Sequence, residues 1–445
     1  MKPYPKYKDS GVEWIGEVPE GWEVKKLKYC FSFHTGWTPP TTNSDYFIGD
    51  NTWITIADMK AKYLDDSVQK LSDEALNELR IKITKKGSLL YSFKLSVGKI
   101  AFAGKDLYTN EAILSISPME KYNLQYYFYT LPECLIKNAN ENIYGAKILN
   151  QYLIKNASLI VPPKPVQKSI AAYLDRKTAQ IDNLISTKQK LIELLKEERA
   201  AIINQAVTKG LNPDVPMKDS GIEWLGEIPA HWVVKKIKYL LKSKKGALKT
   251  GPFGSQLKNS DMSLEGFKVY NQRSVLDKDF DSGDLFISNE KFLELRDFEV
   301  FPGDLLLTSR GTIGKCAIFP SNKMRGILHP CLIRIQLDQD LIINDYAELF
   351  IQNSRLFAES VAFNSNATTI DVIYGDTLRA VDIVLPPSIK EQNEIVMFVK
   401  KQTTKIDQTI SKIKKQIDLL QEFRTALISE VVTGKIDVRD EGLNG

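Results

Sequence analysis

The sequence predicts an α+β chain in which two strand-rich globular domains of mixed α/β character alternate with two long α-helices, the halves related as an internal repeat. Three observations predict this. Residues 8–29 (KDSGVEWIGEVPEGWEVKKLKY) and 218–239 (KDSGIEWLGEIPAHWVVKKIKY) agree at 15 of 22 positions, and four of the seven differences exchange aliphatic residues: Val12/Ile222, Ile15/Leu225, Val18/Ile228 and Leu27/Ile237. Further matches follow in the same order: KGSLLYSFKLSVGKIA (86–101) with PGDLLLTSRGTIGKCA (302–317), LIVPPKPVQKSI with IVLPPSIKEQNEI, and LLKEERAAIINQAVTKG with LLQEFRTALISEVVTGK. Finally, about forty residues beyond each twin proline, Pro162-Pro163 and Pro386-Pro387, run without Gly or Pro except for Pro165, as a long helix requires.

At 445 residues the chain exceeds one ordinary core. The repeat divides it into a first globular domain at 1–162 with a lead-in at 1–22, and a first helix at 163–210. A second domain follows at 211–386, with a linker and the repeated lead-in at 211–232, then a second helix and tail at 387–445. The offset between copies grows from 210 at the lead-in to 216 and then 225, so the second copy carries extra loop residues. Within each domain, runs such as NTWITIADM, GSLLYSF, GKIAFAG and AILSISP are β-branched or aromatic and broken by Gly, Asn and Asp, the pattern of short strands. Helices are expected at 73–80 and 124–138, with counterparts at 290–296 and 344–363.

In the two long segments apolar residues recur at helical spacing: Ile181, Ile185, Ile192, Leu195 and Ile202 in the first, and Ile406, Ile410, Ile413, Ile417, Leu420 and Leu427 in the second. In heptad terms only Lys188 breaks the first stripe. Forty helical residues span about 60 Å, more than a small domain needs for its own core. Such a stripe can also pack a helix on its adjacent domain, but length, absence of breakers and duplication favour a helical partner. The two helices are expected to pair as an antiparallel coiled coil about a pseudo-twofold axis, closing near Gly210 and Gly434. Residues 164–210 carry a net charge of +4 and residues 388–435 of +3, which leaves −2 for the remainder of a chain whose total is +5. The positive charge lies on the helices, where part of it is an ordinary solvated face.

Several chemistries find no support. The four cysteines (Cys30, Cys134, Cys316, Cys331) form no CxxC pair and the three histidines (His34, His231, His329) are scattered, so no metal site is expected. GTIGKC fails the phosphate-loop pattern, since Ser309 stands where the first Gly belongs and Cys316 follows the Lys. Neither a Gly-x-Gly nucleotide turn nor a triad or carboxylate-pair motif stands out. No run has the length of a membrane span and the first residues lack a signal-peptide core, so a cytoplasmic protein without membrane contact is expected.

Two domains alternating with two helices, carrying SGxEWxGExPxxW twice (10–22 and 220–232), YFIGDNTWITIADM (46–59), GPFGSQLK (251–258), GDLLLTSRGTIGK (303–315) and LPPSIKEQ (385–392), resemble the specificity subunit of Type I restriction-modification systems. The resemblance spans nearly the whole chain. One departure is PPKPVQK in the first copy, where the family usually shows an acidic residue before the glutamine. The resemblance implies two target recognition domains and two spacer helices. It also implies double-stranded DNA as ligand and, as partners, two methyltransferase subunits together with restriction subunits. S-adenosylmethionine, ATP and Mg2+ are then expected on those partners, and no cofactor or catalytic residue on this chain.

Base reading needs donors and acceptors on rigid turns, and phosphates need Lys, Arg and backbone N–H groups. The DNA-facing candidates are Thr38, Thr55, Lys60, Ser92, Lys94, Ser96 and Lys99 in the first domain. In the second they are Ser255, Gln256, Lys258, Arg273, Thr308, Ser309, Arg310, Thr312 and Lys315. Gly98-Lys99 and Gly314-Lys315 recur, which suits a shared structural or phosphate role, whereas Ser92-Phe93-Lys94 set against Ser309-Arg310-Gly311 differ as readers of different half-sites should. Trp14, Trp22, Trp224 and Trp232 are assigned to packing because both copies have them. Two other classes remain in view: a DNA-modifying enzyme, which would need a cofactor site, and a two-domain scaffold that binds no DNA.

Overall fold

Each lead-in folds into the same ribbon: Tyr7–Asp9 pairs antiparallel with Glu17–Pro19, and Met217–Asp219 with Glu227–Pro229. The turn is written in the sequence, because Asp9 and Asp219 each accept from the N–H of the glycine two residues on, at 2.9 Å. Gly11 and Gly221 take left-handed φ values of 67° and 75°, which a side chain would resist. The next strand of each copy then meets the last strand of its own domain: Glu23–Lys26 pairs with Ser158–Val161, and Val233–Lys236 with Asp382–Leu385. The start of each domain is thus zipped to its end, one step before the long helix.

The computed structural model describes residues 2–94, 96–141, 147–222, 225–353, 355–365 and 372–442, so Trp224 lies outside the described residues. The chain divides into two units, residues 1–188 with 415–445, and residues 189–414. In the first unit a five-stranded sheet runs Phe33–Thr35, Ile113–Ile116, Leu89–Ser92, Ile100–Ala103, Tyr63–Leu64, antiparallel except for its last pair. In the second unit a four-stranded antiparallel sheet runs Leu248–Thr250, Leu332–Ile335, Leu305–Thr308, Cys316–Ile318. The central strands Leu89–Ser92, Ile113–Ile116, Leu305–Thr308 and Leu332–Ile335 are buried along their whole length, which explains their mostly apolar sequence; Arg334, the buried exception, donates to the carbonyls of Glu299 and Gly246. A smaller sheet accompanies each: Tyr108–Thr109, Asn51–Ile54, Lys70–Leu71 in the first unit, and Met262–Ser263, Phe286–Ile287, Phe267–Tyr270, Gly326–Leu328 in the second.

The short helices fall at Asp73–Leu79, Leu124–Lys137 and Asn289–Glu294, each capped by the side chain of the residue before it (Ser72, Asn123, Ser288). Over the fourth expectation, residues 344–363, helix is described at Asn344–Asn353 and Arg355–Ser365, and residue 354 between them lies outside the described residues.

Where each domain hands over to its helix, the two copies share a joint. Gln167 and Gln392 are buried, and each donates to the carbonyl of the first twin proline (Pro162 O at 2.8 Å, Pro386 O at 3.0 Å). Each also accepts a backbone N–H from the start of the domain helix, Asn123 at 2.8 Å and Ile343 at 3.0 Å. Tyr126 and Tyr346, one turn into those helices, donate to Ile160 O and Val384 O of the last strand. Gln167→Leu would leave two buried backbone groups unpaired, at about 1–3 kcal/mol each. The expected result is a lower denaturation midpoint for the first unit, and Gln392→Leu does the same in the second; urea titration followed by tryptophan fluorescence reads both.

The long helices are Lys164–Lys209 and Ile389–Val432. Both start three residues before the joint glutamine, so the missing acid in the first copy does not move the helix start; Val166 simply stands where Glu391 stands. Of the stripe, Ile181, Ile192, Ile406, Ile413, Ile417 and Leu427 are buried and Ile185, Leu195, Ile202, Ile410 and Leu420 half-buried. Toward the end of the first helix the buried face is carried by Ile203, Ala206 and Val207 rather than Ile202. In the first unit Asp182 binds Arg424 (2.9 Å) and Lys188 reaches Gln416 (2.7 Å), so contacts climb one helix as they descend the other. Lys188, the break in the stripe, is thereby satisfied by an amide. In the second unit the matching pair is Arg199 with Asp407 at 3.3 Å.

Each helix ends on a glycine with positive φ, 73° at Gly210 and 78° at Gly434. A Cβ on Gly434 would sit 2.5 Å from Pro19 and 3.0 Å from Trp22, and one on Gly210 3.3 Å from Trp232. Trp22 and Trp232 are 2% and 0% exposed, which gives these two their packing role, while Trp14 is half-buried. Trp232 also donates its indole N–H to Glu391 at 2.9 Å.

Candidate nucleic-acid interface

The best-matched loops of the two domains are hairpins built on one plan. In the first, Ser92 N donates to Lys99 O (2.9 Å), Gly98 N to Ser92 O (3.0 Å), and the Ser92 hydroxyl accepts from Lys99 N (2.9 Å). In the second, Thr308 N donates to Lys315 O (2.8 Å), Gly314 N to Thr308 O (3.0 Å), and the Thr308 hydroxyl accepts from Lys315 N (3.0 Å). The closing glycines sit at φ 104° and 72°. A fully buried hydroxyl thus clamps the base of each hairpin.

This geometry corrects three candidates and one alignment. Ser92, Thr308 and Ser309 are 0%, 0% and 1% exposed, so their side chains face the core and not a ligand. Ser92 corresponds to Thr308 and not to Ser309. Shifted by that one residue, Phe93 matches Ser309, both buried, and Lys94 matches Arg310, both exposed. Lys94, Lys99, Arg310 and Lys315 make no ion pair among the described residues, and Lys99 Nζ rests on Ile56 O at 3.0 Å.

The remaining candidates spread over neighbouring loops. Thr55 closes a turn with Asp58, its hydroxyl donating at 2.7 Å, which sets Lys60 on the surface. Thr38 donates to the Glu111 carboxylate, and Ser96 is exposed on the hairpin. In the second unit Ser255, Gln256 and Lys258 are exposed on one loop, where Gln256 accepts from Phe253 N at 3.0 Å. Thr312 is exposed and its carbonyl accepts from Gln272 at 3.3 Å, tying the hairpin to the helix Gln272–Leu276. Arg273 on that helix is exposed but bound to Asp277 at 3.1 Å.

A cleft of about 680 Å³ opens in the first unit beside the hairpin, lined by Lys60, Lys62 and Lys99 on the domain and by Asp175, Asp182 and Arg424 on the helices. Its duplicate in the second unit holds about 160 Å³. The ion pair at this joint is reversed between copies: Lys62 binds helix residue Asp175 at 2.6 Å, whereas the matching helix residue Lys400 binds Asp345. Residue-by-residue reading of the sequence missed these and the joint glutamines. The one available signal was a Gln repeated a few residues after each twin proline, where a helix start offers a polar side chain buried backbone to satisfy.

Burial pushes the Cys134 thiol up to about 12 and the Cys316 thiol well above its ordinary value, so neither is poised as a nucleophile. Among the described residues no three His, Cys, Asp or Glu gather as a metal site, and no helix is long and apolar enough to cross a membrane.

The sequence model of a family described as Type I restriction modification DNA specificity domain matches residues 19–196 and 229–419. The chain is 27% identical over 243 residues to the Type I restriction enzyme MjaIX specificity subunit of Methanocaldococcus jannaschii, a match spanning 52% of this chain and 54% of that one. To the putative type I restriction enzyme MjaX specificity subunit of the same organism it is 25% identical over 448 residues, 96% of each. A solved chain from a study of complex assembly and conformational transition of the type I R-M system superposes with TM-score 0.70 at 13% identity, covering 94% of this chain and 99% of the other.

Proposed function

Because the chain belongs to the Type I restriction modification DNA specificity domain family, we propose that each of its two units reads one half of a bipartite DNA target. The chain is a specificity subunit, a targeting component of a restriction-modification complex. The observation that carries the two-reader proposal is the pair of hairpins: one clamp, Ser92 or Thr308, under two different tips, FKLSVG and SRGTIG. A shared clamp fixes the base of each loop while the exposed residues beyond it differ, as they must where two half-sites differ.

The long helices pair as an antiparallel coiled coil about a pseudo-twofold axis and set the unread gap between the half-sites. The Asp182–Arg424 and Arg199–Asp407 pairs support this, since 182 and 199 match 407 and 424 across the repeat. The axis offers opposite strands to the two domains, so that each half-site presents an adenine to its own methyltransferase subunit. Restriction subunits complete the complex, with S-adenosylmethionine, ATP and Mg2+ held by partners.

The test is to express the chain with its neighbouring methyltransferase in a methylation-free bacterium and map methylated adenines across the genome, with and without residues 232–386. A split motif on both strands, one half of which is lost or altered by the deletion, is expected. No new methylation in cells that contain the assembled complex would turn the reading toward a scaffold. A second expectation concerns Lys60 and Lys315: replacing either with Gln should weaken binding evenly across DNA sequences and lower the salt slope by about 1, measured by fluorescence anisotropy between low and moderate salt.

A further inference from the structure

The lead-in ends in KKLKY in one copy and KKIKY in the other, where Leu27 and Ile237 are core residues but packing does not explain the tyrosines. The tryptophans just before it are buried, but Tyr29 and Tyr239 are 72% and 63% exposed. Each lies beneath the preceding lysine, Lys28 Nζ at 5.1 Å and Lys238 Nζ at 4.7 Å from the ring centroid. Lys28 is held in place by Asn156 at 2.9 Å. Lys26 adds charge in the first unit, where Lys25 is paired with Glu23, and Lys235, Lys236, Lys242, Lys244 and Lys245 add it in the second.

The position of this platform is as informative as its composition. In the first unit the strands Leu89–Ser92 and Ile113–Ile116 run from the Leu89/Ile116 end, where Phe33 pairs just after Tyr29, to the Ser92/Ile113 end, where the hairpin begins. In the second unit the Leu305/Ile335 end lies next to Leu241, which bridges Leu337 just after Tyr239, and the hairpin leaves from the Thr308/Leu332 end. In both units, then, hairpin and platform stand at opposite ends of the same strands.

We infer that each Lys–Tyr platform is a docking surface for an acidic patch on a methyltransferase subunit, one copy of the same subunit on each platform. The inference rests on the specificity-subunit reading above. The hairpins differ because the half-sites they read differ; the platforms agree because the occupants are identical. Their place away from the hairpin disfavours the DNA held there, and an exposed tyrosine under an ammonium group presents a flat aromatic contact ringed by charge that matches carboxylates.

The test uses the full chain assembled with its methyltransferase subunit and counts subunits by native mass spectrometry. Lys28→Glu with Tyr29→Ala, and separately Lys238→Glu with Tyr239→Ala, are each expected to lose one methyltransferase, and the fourfold variant to lose both. These side chains are exposed, and unchanged thermal unfolding checks that the fold survives. Two methyltransferases retained by all three variants overturns the platforms while leaving the specificity reading intact. Two retained with uniformly weaker DNA binding overturns them as well and assigns the lysines to the phosphate backbone. A wild-type chain that binds no methyltransferase overturns the reading itself, and the platforms with it.

Discussion

Arg310→Ala is expected to weaken binding to the cognate target by about 1 to 3 kcal/mol and to relax base preference within one half-site only. Arg310 is the first exposed residue beyond the Thr308 clamp, and its neighbour Ser309 is buried, so the guanidinium leaves the hairpin from a fixed base. A bidentate contact to a guanine edge is what a pre-organised arginine in such a place can make. Lys94 occupies the matching position in the first unit, and Lys94→Ala should act on the other half-site. Binding to a pool of targets randomised at one half-site at a time separates the two effects. An equal loss on every sequence would reduce Arg310 to a phosphate contact.

The second large effect is on stability. Trp232→Ala removes a fully buried indole that packs beside Gly210 and donates to Glu391, and the expected cost is about 3–5 kcal/mol. For a unit of this size that lowers the unfolding temperature by about 6 to 20 °C. Calorimetry should show the loss in the transition of the second unit, and Trp22→Ala should move the first. Trp232→Phe, which keeps most of the apolar volume, should cost distinctly less; equal costs would mean that the indole hydrogen bond, not the packing, carries the effect.

The division into repeats was legible because duplication writes the same packing problem twice: Trp22 and Trp232, or the stripes from Ile181 and Ile406, meet the same need and keep the same residue types. The hairpin clamp was not legible. A hydroxyl in a Gly-rich loop looks like a ligand donor, and only the backbone shows that Ser92 and Thr308 turn inward to hold Lys99 N and Lys315 N. The one-residue slip that set Ser92 beside Ser309 was avoidable, since the offset of 216 between residues 86–101 and 302–317 already places Ser92 opposite Thr308. Long-range partners such as Lys62 and Asp175, 2.6 Å apart in space, leave no local trace at all.

The way the chain is shared between its units bears on the order in which they form during synthesis. The second unit is one continuous stretch, residues 189–414, whereas the first needs residues 415–445 as well. Leu427, Val431, Val432 and Val438 belong to the same apolar cluster as Trp22, and Tyr126 donates to Val432 O at 3.2 Å. A ribosome adding about 5–20 residues per second takes about 10 to 45 s to pass through the intervening segment. For that interval the residues made first wait with an unfinished core, while those made later can already close on themselves. A premature stop after residue 414 would therefore harm the domain farthest from it in sequence and spare the one just completed.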